Sequence, residues 1–179
     1  MSMFEVGTTP KDALSQPVVA YIGLGANLGD REATLRSAVS GIGGLVGSRV
    51  LVVSSWLQTE PVGPIDQPAF LNGAVALETT LSPERLMAEL LRIELQHGRD
   101  RTSGQRWGPR TLDLDLLLYG TQTVSTDRLT IPHPRLTERE FVLVPLTEIA
   151  PHAEIPGMDL TVSGALDRLL AGRTKGSET

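Results

Sequence analysis

AFLNGAVALETTLSPERLMAELLRIELQHG, residues 69–98, decides the fold. Its first part, Ala69 to Thr79, predicts a strand. Ser82-Pro83-Glu84 then starts a helix. Serine caps free amides, proline fits the first helical position, and glutamate suits the positive end of the helix dipole. Leu86, Leu90, Ile93 and His97 continue one helical face, and Gly98 ends it. Upstream, PVVAYIGL (17–24) is an apolar, β-branched run that predicts a buried strand. Leu35, Ala38, Val39 and Ile42 predict a helix over 31–42, stopped by Gly43 and Gly44. Ser48 to Thr59 alternates like a strand, and Leu112 to Tyr119 predicts one more. The order β-α-β-β-α-β is the ferredoxin-like α+β arrangement, an antiparallel sheet with helices on one face. Thr137 to Ile149 and Leu160 to Leu170 predict an additional C-terminal helical part. Residues 17–171 read as a single domain between a flexible N-terminal tail, 1–16, and a frayed C-terminal tail, 172–179.

Composition narrows the function. The chain has 179 residues, 40% apolar and 21% charged, which suits a globular domain with a real core. Its formal net charge of -5 gives no general affinity for nucleic acid, so any anion site must come from a local basic cluster. The chain has no cysteine, which excludes disulfides, thiolate chemistry and Cys-ligated zinc, and fits a cytoplasmic location. No apolar run approaches the ~20 residues of a membrane span. Met1 to Gln16 lacks the basic region and apolar core of a secretory signal.

The chemistry concentrates in RWGPRTLDLD, residues 106–115. In an extended strand Asp113 and Asp115 share one face, leaving Leu112, Leu114 and Leu116 on the other. Aspartate is disfavoured in strands, so a Leu-rich strand with two of them needs a compensating cation. Arg106 and Arg110 could supply it as ion pairs. Magnesium is the functional alternative, since it prefers one or two carboxylates plus phosphate oxygens and water. The preceding loop, Gly98 to Arg110, holds Arg99, Arg101, Arg106 and Arg110 against one acid, Asp100. Arginine forks match phosphate oxygens, and the glycines suggest a lid over a nucleotide polyphosphate.

Other motifs say less. GLGANLG (23–29) follows a strand and precedes a helix, but its third glycine comes one place late for dinucleotide binding. No acid lies between Glu32 and Glu60 either. It reads as a tight strand-to-helix turn, with Asn27 and Asp30 as candidate caps. His97, His133 and His152 form no zinc spacing. His97 suits packing; His133, pinned between prolines after Arg128 and Thr130, suits a phosphate contact. Phe70 and Asn72 share a strand face, and Phe141 follows Arg139. Stacking plus amide recognition would suit a flat heterocycle, but both phenylalanines could equally be core. Glu60 to Pro68, with Pro61, Gly63, Pro64 and Pro68, reads as an ordered loop with a task.

Four pieces, YIGLGANLGD (21–30), TEPVGPIDQPAFLN (59–72), RWGPRTLDLDLLLYG (106–120) and LTIPHPRL (129–136), together resemble one family. That family is 6-hydroxymethyl-7,8-dihydropterin pyrophosphokinase, of folate biosynthesis. The resemblance spans roughly residues 18–155. It implies transfer of the pyrophosphoryl group of ATP to the pterin's hydroxymethyl oxygen, releasing AMP. It further implies two magnesium ions on Asp113 and Asp115, with Arg99 and Arg110 acting on the phosphates. Glu94, Arg101, Arg106, Trp107, Arg128, Thr130, His133 and Arg139 match nucleotide or lid positions. Phe70 and Phe141 would sandwich the pterin. Asn72, with groups around Thr59 and Val62, would read its edge, and Trp107 lies among the pterin contacts as well. The implied partners are ATP and the hydroxymethyl dihydropterin, with no nucleic acid and no membrane, and a monomer is favoured.

The sequence departs from relatives at Glu60 and Pro134, where some carry proline and tyrosine respectively. Leu91 stands where a glutamine can contact the nucleotide. Phe70 lacks a hydroxyl that some relatives have, and the arginine loop is one residue longer than in short members. Two rivals from other classes are an RNA-binding module on a ferredoxin-like sheet and a magnesium-dependent phosphohydrolase.

Overall fold

A computed structural model describes residues 13–61, 66–99 and 110–176. In chain order the elements are β1 (Ala13–Ala26), α1 (Arg31–Gly43), β2 (Ser48–Val53), β3 (Leu57–Thr59), β4 (Phe70–Leu81) and α2 (Pro83–Gln96). They continue with β5 (Asp113–Tyr119), a small hairpin of β6 (Val124–Ser125) and β7 (Thr130–Ile131), then α3 (Glu140–Ile149) and α4 (Val162–Gly176). The main sheet is antiparallel in the order β2-β4-β1-β5, with β3 also paired to β4. This is the expected ferredoxin-like core.

The helix starts follow local chemistry. Asp30 caps α1, its Oδ1 accepting from the Ala33 amide at 3.0 Å. Ser82 caps α2, accepting from the Arg85 amide at 3.2 Å, with proline at the first position. Leu35, Ala38, Ile42, Leu86, Leu90 and Ile93 of these helices pack on Ile22, Leu24, Val75, Leu77, Leu114 and Leu116 of the sheet.

Four expectations need correction. First, helices cover both sheet faces. Leu143 and Leu146 of α3, with Val162 and Ala165 of α4, bury Ala74, Leu117 and Leu118 on the second face. Both faces are apolar, so each needs cover. Second, β1 begins at Ala13, inside the stretch read as a tail, because Ala13 pairs with Leu81 across a bulge before Val18. Third, α4 runs to Gly176, into the stretch read as frayed. Fourth, the strand expected over 48–59 is two strands. Around the break, the Ser54 amide bonds the Ala74 carbonyl, and the Ser54 hydroxyl accepts from the Ala74 amide at 2.9 Å.

β5 carries an extra residue against β1: Tyr21 pairs with Leu118 and Ile22 with Leu116. Before that bulge, alternation sends Leu114 and Leu116 into the first core and Asp113 and Asp115 to the second face. After it, Leu117 and Leu118 both join the second core.

Candidate active site

The carboxylate pair lies where β5 faces the glycines of β1. Asp113 pairs with Gly25 and Asp115 with Gly23. Gly25 also pairs with Asn72 of β4, and Phe70 of β4 pairs with Thr59 of β3. Alternation puts all of these residues on the α3 side of the sheet. They line one recess with Arg110, Gln67, Arg139, Phe141 and Val142. Its floor is backbone: a Cβ at Gly25 would sit 3.2 Å from the Asn72 Oδ1, and one at Gly23 would sit 3.4 Å from Leu117. Gly23 and Gly25 therefore line the recess, a role that neither the strand reading of 17–24 nor the turn reading of 23–29 shows. Glycine at alternate strand positions, the mark of close approach, was the available signal.

At one end of the recess the charges interlock. Arg99 donates to the Asp113 Oδ1 at 3.0 Å and to the Leu112 carbonyl at 3.1 Å. Arg110 pairs with the Asp113 Oδ2. Glu94 is 1% exposed; its carboxylate accepts from the Leu114 amide at 2.8 Å and faces the Arg99 Nε at 3.6 Å. Buried in this way, Glu94 reaches the site through Arg99 and through the strand between the two aspartates, not by facing the recess. Asp115 has looser partners, Arg139 at 3.4 Å and the His133 Nε2 at 4.0 Å. Burial, then the neighbouring Asp113 charge, holds the Asp115 carboxyl above its usual range. Burial pushes the His133 imidazole down. Its Nδ1 accepts from the Arg135 amide at 3.1 Å, so in the neutral ring Nε2 carries the proton towards Asp115.

At the other end are rings and an amide. Phe70 and Phe141 are half-buried and line the recess, and Phe141 also packs on the second core. The Arg139 guanidinium stands 5.7 Å from the Phe141 ring centre, a cation–π contact. Asn72 is 5% exposed and donates to the Thr59 Oγ1 at 2.8 Å, which fixes the amide with its Oδ1 over Gly25.

The expected residues do not all converge. Arg128 and Thr130 are exposed on or beside the β6–β7 hairpin and are not among the residues lining the recess. Leu91 is 37% exposed on α2 and is likewise not in the lining. Val62, Arg101, Arg106 and Trp107 lie outside the described residues. His97 is the packing residue expected, its ring nitrogens bonding the Ile93 carbonyl and the Ser37 hydroxyl. Three further residues escaped the sequence: Asn27, Arg31 and Gln67. Asn27 is no cap but joins segments far apart in sequence, and Arg31 donates to the Ala69 carbonyl at 2.6 Å.

Carboxylates and arginines at one end, with half-buried aromatic rings and an oriented amide at the other, define a class. It is a phosphotransferase that brings a phosphate donor to a flat organic acceptor. Residues 21–151 match the family described as 7,8-dihydro-6-hydroxymethylpterin-pyrophosphokinase. A Haemophilus influenzae 2-amino-4-hydroxy-6-hydroxymethyldihydropteridine pyrophosphokinase is 45% identical over 143 residues, 80% of this chain and 88% of the relative. The enzyme of the same description from Bacillus subtilis is 48% identical over 136 residues, 76% of this chain and 80% of the relative. Among solved structures, a Plasmodium falciparum HPPK-DHPS with pterin and p-hydroxybenzoate superposes with a TM-score of 0.71 at 12% identity, a likeness of fold. That match covers 94% of this chain and 46% of the Plasmodium chain, so this chain spans about half its length.

The chain thus belongs to the 7,8-dihydro-6-hydroxymethylpterin-pyrophosphokinase family. Its reaction is transfer of the pyrophosphoryl group of ATP to the hydroxymethyl group of the dihydropterin, in folate biosynthesis.

Proposed function

We propose that Asp113 and Asp115 hold magnesium, two ions, and that the recess between them and Phe141 is where ATP and the pterin meet. The observation that carries this reading is the shared face of the two carboxylates beside the ring-lined recess. The donor set fits magnesium. Among the described residues no cluster of three or more metal-binding side chains occurs. Two carboxylates completed by phosphate oxygens and water is the arrangement this ion favours. Asp115, whose charge is poorly matched by Arg139 and His133, is where a further cation is most needed. Bound magnesium would neutralise phosphate charge and ease deprotonation of the attacking hydroxyl.

The chain's own groups do the rest. Arg99 and Arg110 bind the phosphates and stabilise charge as the pyrophosphoryl group leaves AMP. Arg139 and His133 flank Asp115 and contact the nucleotide, with Arg101, Arg106, Arg128 and Thr130 as further nucleotide residues and Trp107 serving both ligands. Glu94 supports the nucleotide side by holding Arg99. Phe70 and Phe141 sandwich the pterin, while Asn72, held by Thr59 and aided by the segment at Val62, reads its edge. A cytoplasmic location fits a chain without cysteine. No helix among the described residues is long and apolar enough to cross a membrane. Against the RNA-module rival, the second sheet face that would stack bases is covered by α3 and α4.

The test is turnover of ATP with 6-hydroxymethyl-7,8-dihydropterin. AMP should form only when the pterin is present and should stop when EDTA removes divalent metal. ADP and inorganic phosphate formed without pterin would replace this reading with hydrolysis.

A further inference from the structure

We propose that Asn27 is a positioning residue of the transfer reaction, tying the arginine on the phosphate side to the segment that leads into the acceptor wall. The inference rests on the reaction assigned to the recess and adds a residue to it.

Asn27 follows the last residue of β1 and is 2% exposed. Its backbone amide donates to the Arg110 carbonyl at 3.0 Å, and its side-chain Oδ1 accepts from the Arg110 amide at 2.7 Å. Its Nδ2 donates to the Gln67 Oε1 at 3.0 Å and to the Pro68 carbonyl at 3.1 Å. Both amide hydrogens and the amide oxygen are thus engaged, which fixes the side chain's orientation without ambiguity between N and O. A buried asparagine usually satisfies its own turn. This one does not: the cap of α1 is Asp30, and the partners of Asn27 lie 40, 41 and 83 residues away.

Those partners belong to the two sides that must meet. Arg110 pairs with Asp113. Gln67 lines the recess, and Pro68 and Ala69 lead directly into Phe70. Arg31 reinforces the same tie by holding the Ala69 carbonyl. One amide therefore sets the spacing between a phosphate-binding arginine and a pterin-stacking ring. A transfer between two bound ligands is sensitive to such spacing, because a displacement near 1 Å costs on the order of 100-fold in rate.

Asn27→Ala should lower kcat roughly 10- to 100-fold while moving the KM for ATP by less than about threefold. In an Arg110→Ala background the same change should lower kcat by less than about threefold, because Asn27 acts through Arg110. Wild-type enzyme runs alongside. If it gives no pterin-dependent AMP, the assigned reaction fails. If it turns over normally and Asn27→Ala lowers only Tm, with kcat and both KM values at wild-type level below the unfolding range, Asn27 is merely structural and the proposal is overturned. Rate losses that multiply independently in the double variant overturn it as well. Should the alanine variant not fold, Asn27→Ser keeps a small hydroxyl in the same place and runs the same cycle.

Discussion

Asp113 and Asp115 stand two residues apart on one face yet carry their charges differently. Asp113 is gripped by Arg99 and Arg110, whereas Asp115 meets Arg139 and His133 at longer range. The raised pKa of Asp115 follows from burial and from the like charge beside it. A folded pKa above the unfolded one means that ionised Asp115 weakens the fold at neutral pH. Asp115→Asn should therefore abolish transfer, by on the order of a thousandfold, while raising the denaturation midpoint at about pH 7. That gain is full above the folded pKa and disappears as pH falls through the unfolded value of about 3.9. Urea titrations at about pH 7 and about pH 4 would check it. A midpoint that drops at neutral pH would mean Asp115 stabilises the fold through its cationic neighbours, contrary to this account.

Among the elements, the strand bearing the aspartates was legible because period-2 alternation is a local signal. Asp113 and Asp115 appear opposite Leu114 and Leu116, as expected. The cap at Ser82 is equally local and also readable. The end of β1 was not. Gly25 looks like the start of a turn, yet it continues the strand because β4 and β5 pair on both sides of it. Asn27 was misread for the same reason: its hydrogen bonds are long-range and leave no local mark. Phe70 and Phe141 could be core or site from spacing; in the fold both line the recess, and Phe141 packs on the second core as well, because α3 seats it there. The glycine floor makes a specific prediction. Gly25→Ala places a methyl in the space proposed for the acceptor, 3.2 Å from the Asn72 Oδ1. Pterin KM should rise by roughly 10-fold or more, since a filled pocket rejects by steric overlap worth about 1–3 kcal/mol. ATP KM should hold, and steady-state kinetics in each substrate would separate the two. Equal change in both would place the floor under the nucleotide as well.

For the molecule as a whole, one sheet serves two different layers. α1 and α2 close a core that includes Ile42, while α3 and α4 close a second that includes Leu143. α3 also presents Phe141 and follows directly on Arg139, so its seating on the sheet sets part of the recess. Ile42→Ala and Leu143→Ala should each destabilise by about 2–5 kcal/mol, since both side chains are fully buried. Their effects on activity should differ. Well below both melting transitions, Ile42→Ala should keep wild-type kcat/KM for pterin, while Leu143→Ala should lose several-fold. Identical kinetics in the two variants would show that α3 transmits nothing to the recess. The second layer was hard to foresee because the helices after β5 have no fixed place in a β-α-β-β-α-β pattern. The bare floor at Gly23 and Gly25 has a bearing on inhibitors. A compound that rests on that backbone meets no side chain that mutation could trim away. Enlarging either glycine to repel it would also narrow the space proposed for the acceptor. Escape from such a compound would have to arise elsewhere on the recess, at a wall residue such as Phe70 or Val142, and drug-selected sequences should leave the two glycines unchanged.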